Sequence, residues 1–170
     1  MSFGPVHLLL LFVAAQRLTE LAWSRRNERR LRAAGAVEYG ARHYPAIVTL
    51  HAGLLAALWL ASSAEQAVVL PWLLVWLAVQ PLRLWVMVSL GERWTTRVLV
   101  LPAAPLVVRG PYRWLRHPNY LIVLLEVPVL ALACDAPGLA LGFGLANAIL
   151  LGVRLAVEER ALGRQRFGSP

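Results

Sequence analysis

The chain has 170 residues, enough for one domain, but 59% of them are hydrophobic and its mean hydropathy is positive, which excludes an ordinary soluble domain and makes lipid the expected solvent. The net charge of +8 rests on 17 arginines and no lysine. Because these arginines sit in short loops beside apolar runs, membrane orientation accounts for the charge and nucleic acid is not an expected partner. One cysteine, Cys134, cannot form an internal disulfide, and no Cys/His cluster has metal-ligand spacing.

A membrane-spanning helix needs about 20 mostly apolar residues, and five segments qualify or nearly so: 3–22, 45–62, 67–90, 119–134 and 138–157. The expected fold is an all-α integral membrane protein of five spans, with residues 1–170 forming a single domain. The first span carries Arg17 and Glu20 near one end, three apart and so on one helical face, where they pair or reach the interface. Ser24 and the arginines up to Arg32 then predict a separate helix along the membrane surface, ended by Gly35. Pro45 opens the second span, which contains His51.

Gln80-Pro81-Leu82-Arg83 lies deep in the third span, and Arg83 must face protein or water because a guanidinium in lipid costs about 2.5–3.5 kcal/mol. Two prolines, Pro102 and Pro105, make residues 98–108 a poor helix and predict an extended connector over a pocket. Arg109-Gly110-Pro111-Tyr112 supplies a turn, and Pro118 pushes His117 out of helical geometry ahead of the fourth span. Glu126 within that span needs a partner, which Arg83 or His51 can supply. In the fifth span Arg154 and Glu158 share a face at one end and Glu159 points about 100° away. The arginines crowd the first and third loops and the C-terminal tail, while the second and fourth loops have none. The positive-inside rule then predicts an external N-terminus and a cytoplasmic C-terminus, which an odd number of spans satisfies.

Arg116-His117-Pro118-Asn119-Tyr120, preceded by Gly110-Pro111-Tyr112 and followed by Arg154 and Glu158-Glu159, resembles the isoprenylcysteine carboxyl methyltransferase family of integral-membrane enzymes that use S-adenosylmethionine. The resemblance covers a core of about residues 80–168. Glu28-Arg29-Arg30, Gly35-Ala36-Val37-Glu38, His43-Tyr44-Pro45 and Arg93-Trp94-Thr95-Thr96-Arg97 look like a bacterial branch, some of whose members methylate hydroxyls of phenolic lipids or alkylpyrones. It implies a bacterial inner-membrane enzyme with a cytoplasm-facing cofactor pocket between the last two spans, closed by the connector and the C-terminal tail. Ala104, Pro105, Leu106 and Val107 would offer backbone to the cofactor and Tyr112 would pack on it. His117, Pro118, Asn119 and Tyr120 would hold its polar end, with Glu158 and Glu159 beside it, and Arg154 and Glu158 would serve catalysis, Arg154 facing the methyl acceptor.

The implied acceptor is a lipophilic molecule methylated on oxygen, with His51 and Glu126 as candidate bases for a phenol. Ile122, where the family often has glycine, is expected to narrow the approach to the cofactor, and the tail lacks the family's extension after Phe167-Gly168. Alternatives are a phospholipid-amine N-methyltransferase, a nicotinamide-dependent sterol reductase and a non-catalytic membrane scaffold.

Overall fold

The computed structural model describes residues 3–102 and 104–167, the side chains of 164–167 excepted. Five helices carry the fold: α1 (Pro5–Ala33), α2 (Tyr44–Ala61), α3 (Leu70–Leu90), α4 (Pro118–Ala133) and α5 (Pro137–Phe167). The molecule is the all-α membrane protein expected. By length and composition α1, α2, α3 and α5 are long and apolar enough to cross a bilayer, and α4 is a shorter apolar helix of 16 residues. Proline occupies the first turn of α1 to α4, where its missing N–H would have no intrahelical acceptor.

Successive helices alternate between two ends. At the end without arginines the two loops are tied together, Val69 N–H donating to Ala133 O at 2.9 Å and Gln66 Nε2 to Cys134 O at 2.7 Å. The largest apolar core lies towards this end, with Val6, Leu10, Leu58, Trp76, Leu130 and Ala140 among its members. The opposite end is held by polar contacts.

There the structure corrects one expectation. Residues 23–33 do not form a separate surface helix but continue α1, whose 29 residues run for about 44 Å, well beyond the ~30 Å of hydrocarbon. Neither proline nor glycine interrupts the sequence, and Ser24, Asn27, Glu28 and Leu31 form a buried face on the projecting turns. Asn27 Nδ2 donates to Gly91 O at 3.0 Å and to Trp94 O at 2.8 Å, clamping the loop after α3. The helix ends where Gly35 takes φ +88°.

The connector is extended, as its prolines predict. Its first part forms β2 (Val98–Val100), which pairs antiparallel with β1 (Val37–Tyr39), Val37 opposite Val100. This short ribbon was not expected from the sequence. Arg97 pairs with Glu38 of β1 at 2.6 Å and ties the ribbon to α1 through Glu28 at 3.5 Å.

The intramembrane charges resolve into one cluster. Arg83 of α3 donates from Nε and Nη2 to the two carboxylate oxygens of Glu20 at 2.7 and 2.6 Å, and from Nη1 to Glu126 at 2.6 Å. Arg17 completes the ring, reaching Glu20 at 2.8 Å and Glu126 at 3.0 Å, so two cations face two anions with zero net charge. Gln80 adds a 3.1 Å bond to Glu126. Burial of isolated charges would be prohibitive; a closed neutral ring with its hydrogen bonds made is tolerable. Glu126 is therefore a structural partner of Arg83 and Arg17.

Candidate active site

A cavity of about 490 Å³ lies at the arginine-rich end, bounded by β2 and the connector, the start of α4 and the last turns of α5. Ala104, Pro105, Leu106, Val107, Tyr112, His117, Asn119, Tyr120, Arg154, Glu158 and Glu159 all line it. Of the residues singled out from the sequence Pro118 does not. It is buried in the first turn of α4, where it fixes how His117 enters the helix. Ile122 is also outside the cavity, packed with Val79, Val86 and Tyr112, so it supports the Tyr112 ring from behind instead of narrowing the space. His51 and Glu126 are absent from the lining. His51 Nδ1 faces Ile47 O at 2.8 Å within its own helix.

A hydrogen-bonded chain crosses the cavity wall from α5 to α4 and back. Arg154 Nε donates to Tyr120 Oη at 3.2 Å, and Tyr120 Oη donates to Glu158. Glu158 Oε1 lies 3.6 Å from His117 Nδ1, and His117 Nε2 meets Glu159 at 2.5 Å. Arg116 stands 3.8 Å from Glu159 at the outer end. The carboxylate of Glu158, with that of Glu159 beside it, holds the His117 imidazolium above its ordinary pKa against the opposing effect of burial. Burial, reinforced by the Glu158 charge, pushes the Tyr112 phenol up, so it is a neutral hydroxyl.

Arg154 is aimed by Thr96, to which the sequence motif assigns no role. Its Nη1 donates to the carbonyl of Thr96 at 2.6 Å. Thr96 is itself fixed from two helices: its N–H donates to Ser24 Oγ of α1 at 2.8 Å, and its hydroxyl lies 3.1 Å from Tyr44 Oη of α2. Among the described residues no carboxylate lies within ion-pair distance of Arg154, and Nη2 has no hydrogen-bond partner. The Tyr112 hydroxyl and the Asn119 amide likewise make no hydrogen bond among the described residues, nor do the backbone N–H groups of Leu106 and Val107. The Pro105 carbonyl accepts from Arg93 Nη1 at 2.5 Å, which pins the connector. Arg93, Thr95 and Arg97 also line the cavity; the stretch Arg93–Arg97 resembles the bacterial branch, which assigns these residues no role. The tail beyond Phe167, expected to help close the pocket, lies outside the described residues.

Comparison with known proteins bears on this arrangement. The chain is 39% identical over 159 residues to the uncharacterized protein YpbQ of Bacillus subtilis, an alignment covering 91% of this chain and 95% of that protein. It is 26% identical over 162 residues to an uncharacterized protein of Haemophilus influenzae, covering 92% and 94%. No solved structure matches it. The family model for isoprenylcysteine carboxyl methyltransferases matches residues 72–164, more than half of the chain and the part that contributes α3, the connector, α4 and α5 to the cavity. By that match the chain belongs to the isoprenylcysteine carboxyl methyltransferase (ICMT) family.

Proposed function

We propose that the protein transfers a methyl group from S-adenosylmethionine to an oxygen of a lipophilic acceptor, with the arginine-rich end facing the cytoplasm of a bacterial inner membrane. The observation that carries the reading is the chain Arg154–Tyr120–Glu158–His117 along the wall of one cavity. At about 490 Å³ the cavity falls in the ~300–1,000 Å³ range of small-molecule sites. Its donor set fits the cofactor. A carboxylate, an ammonium, ribose hydroxyls and an adenine ask for donors, an acid and an apolar slot. Glu158 and Glu159 would take the ammonium and ribose hydroxyls. His117, Asn119 and the unpartnered N–H groups of Leu106 and Val107 would serve the carboxylate and adenine edge, and Tyr112 would pack on the ring.

When bound, the cofactor supplies an electrophilic methyl on sulfur. The protein's part is positioning and exclusion of water, which together contribute up to ~7–11 kcal/mol in well-oriented displacements. Arg154, which lines the cavity and is held at Nε and Nη1, would orient the acceptor oxygen through Nη2 and stabilise negative charge on it. This favours oxygen over nitrogen, since an amine nitrogen gains positive charge as the methyl arrives and a guanidinium opposes that charge. A carboxylate acceptor arrives ionised, whereas a hydroxyl such as that of a phenolic lipid or alkylpyrone would release its proton to solvent water, with Arg154 stabilising the oxyanion left behind. The test is incubation of the membrane-reconstituted protein with methyl-labelled S-adenosylmethionine and bacterial lipid extract, followed by alkaline hydrolysis of the labelled product. Label in lipid as an ester or ether supports the reading; label on a phospholipid amine, or none, contradicts it.

A further inference from the structure

The turn that precedes His117 presents an apolar face that the protein leaves uncovered. Trp114 is 70% exposed and Leu115 47%, with Arg113 and Arg116 also exposed beside them. The turn is not loose. Gly110 takes φ +58° and sits so close to α3 that a Cβ there would meet Ser89 Oγ at 2.0 Å, and Arg109 Nε donates to Ser89 O at 2.7 Å. Trp114 then packs against Trp85 in a tilted ring contact, centroids 5.8 Å apart and planes at 58°. Trp85 lies five residues before the end of α3, about 7.5 Å back along the helix. The turn therefore folds back alongside α3 towards the apolar end of the helix. Leu82, Leu84 and Val88, 50–58% exposed around Trp85, form the bare face of a helix long and apolar enough to cross the bilayer, and Trp114 continues that face.

We propose that residues 109–116 form a membrane-surface wedge, with Trp114 and Leu115 seated in the headgroup layer and Arg113 and Arg116 taking the phosphates of anionic lipids. Tryptophan prefers this depth because its ring is apolar and its N–H polar. A basic residue near an anionic leaflet gains from the surface potential, and a guanidinium matches phosphate geometry. Arg113 lies 5.8 Å from the Trp114 ring, so the cation and the ring address one lipid surface together. The same turn delivers Tyr112 and His117 to the cavity wall, which makes the leaflet a support for the site.

The experiment uses the full chain with Cys134→Ala, which removes its one thiol. Trp114→Cys, or Leu115→Cys as a second position, is spin-labelled in nanodiscs of phosphatidylcholine alone or in equal mixture with phosphatidylglycerol. Relaxation by oxygen and by a water-soluble nickel chelate gives the label's depth, calibrated by Val88→Cys on the bare α3 face and Arg29→Cys on the projecting end of α1. The expected result is chelate exclusion close to that at Val88, deeper in the anionic discs, with the anionic effect lost in Arg113→Gln/Arg116→Gln. Chelate access equal to that at Arg29 overturns the wedge. A buried label indifferent to lipid charge, or to the double substitution, overturns the role given to the arginines. This measurement is independent of methyl transfer.

Discussion

Arg154 spends two of its three guanidinium nitrogens on protein oxygens, the Tyr120 hydroxyl and the Thr96 carbonyl, and the third has no hydrogen-bond partner among the described residues. Lysine cannot reproduce that fork. Arg154→Lys should therefore lower kcat/KM for the acceptor about 100-fold, the usual effect of losing one well-placed donor, while the affinity for S-adenosylmethionine stays within a few-fold; steady-state kinetics and calorimetry separate the two. His117 makes a second prediction. Its pKa is raised by Glu158 and Glu159, so the stability it gives the cofactor-free protein is fully present below its unfolded pKa of about 6.5 and is lost as pH rises through the folded value. The melting-temperature gap between wild type and His117→Gln should be widest in mild acid and close in alkali. At this partly open site the gap reflects no more than about 1 kcal/mol; a gap that widens with pH contradicts the assignment. His117, Tyr120 and Glu158 were legible in the sequence because their chemistry is in their side chains. Thr96 was not, because it aims Arg154 with a backbone carbonyl that any residue supplies.

Among the elements, α4 explains why a cavity forms at this end. Its 16 residues span about 24 Å, short of the ~30 Å hydrocarbon layer. Pro118 in its first turn precludes extension towards the connector, so the helix starts recessed, and the turn of 109–117 fills part of the depth it leaves. The polar ring of Arg17, Glu20, Arg83 and Glu126 then fixes α4 to α1 and α3. Removing one member strands a buried charge. Arg83→Met should cost about 3–5 kcal/mol, whereas Arg83→Met/Glu126→Met, which leaves Arg17 paired with Glu20, should recover most of that loss; thermal unfolding in lipid discs measures both. A double variant no better than the single would show that the ring is not the unit of stability. That Arg83 and Glu126 needed partners was readable from the cost of bare charge in lipid. That Arg17 and Glu20 join them was not, since a pair three apart near a helix end is satisfied locally. The projecting half of α1 was misjudged for a related reason: its arginines look like a surface helix until Ser24 and Asn27 are seen gripping the loop after α3.

At the scale of the whole molecule, apolar packing and chemistry are segregated. The main core lies towards the arginine-free end, where loops are short, and the cavity lies at the end where α1 projects, the ribbon of β1 and β2 forms and arginines are concentrated. Alternating apolar and charged segments made the five helices legible, and the motif pair on α4 and α5 made their meeting point legible. The ribbon was hidden because Val37–Tyr39 and Val98–Val100 are each three residues long and are strands only by pairing across more than fifty residues. The central claim is that the cavity is built for S-adenosylmethionine, and the most direct test is calorimetric titration of that cofactor, with NADPH as comparator, into the wild type, His117→Ala and Glu158→Gln. Saturation at about 100 times the dissociation constant should also stabilise the fold by ~2.7 kcal/mol. S-adenosylmethionine and not NADPH should bind, at least tenfold more weakly in both folded variants; absence of binding to the wild type in lipid, or binding of NADPH in its place, would overturn the assignment.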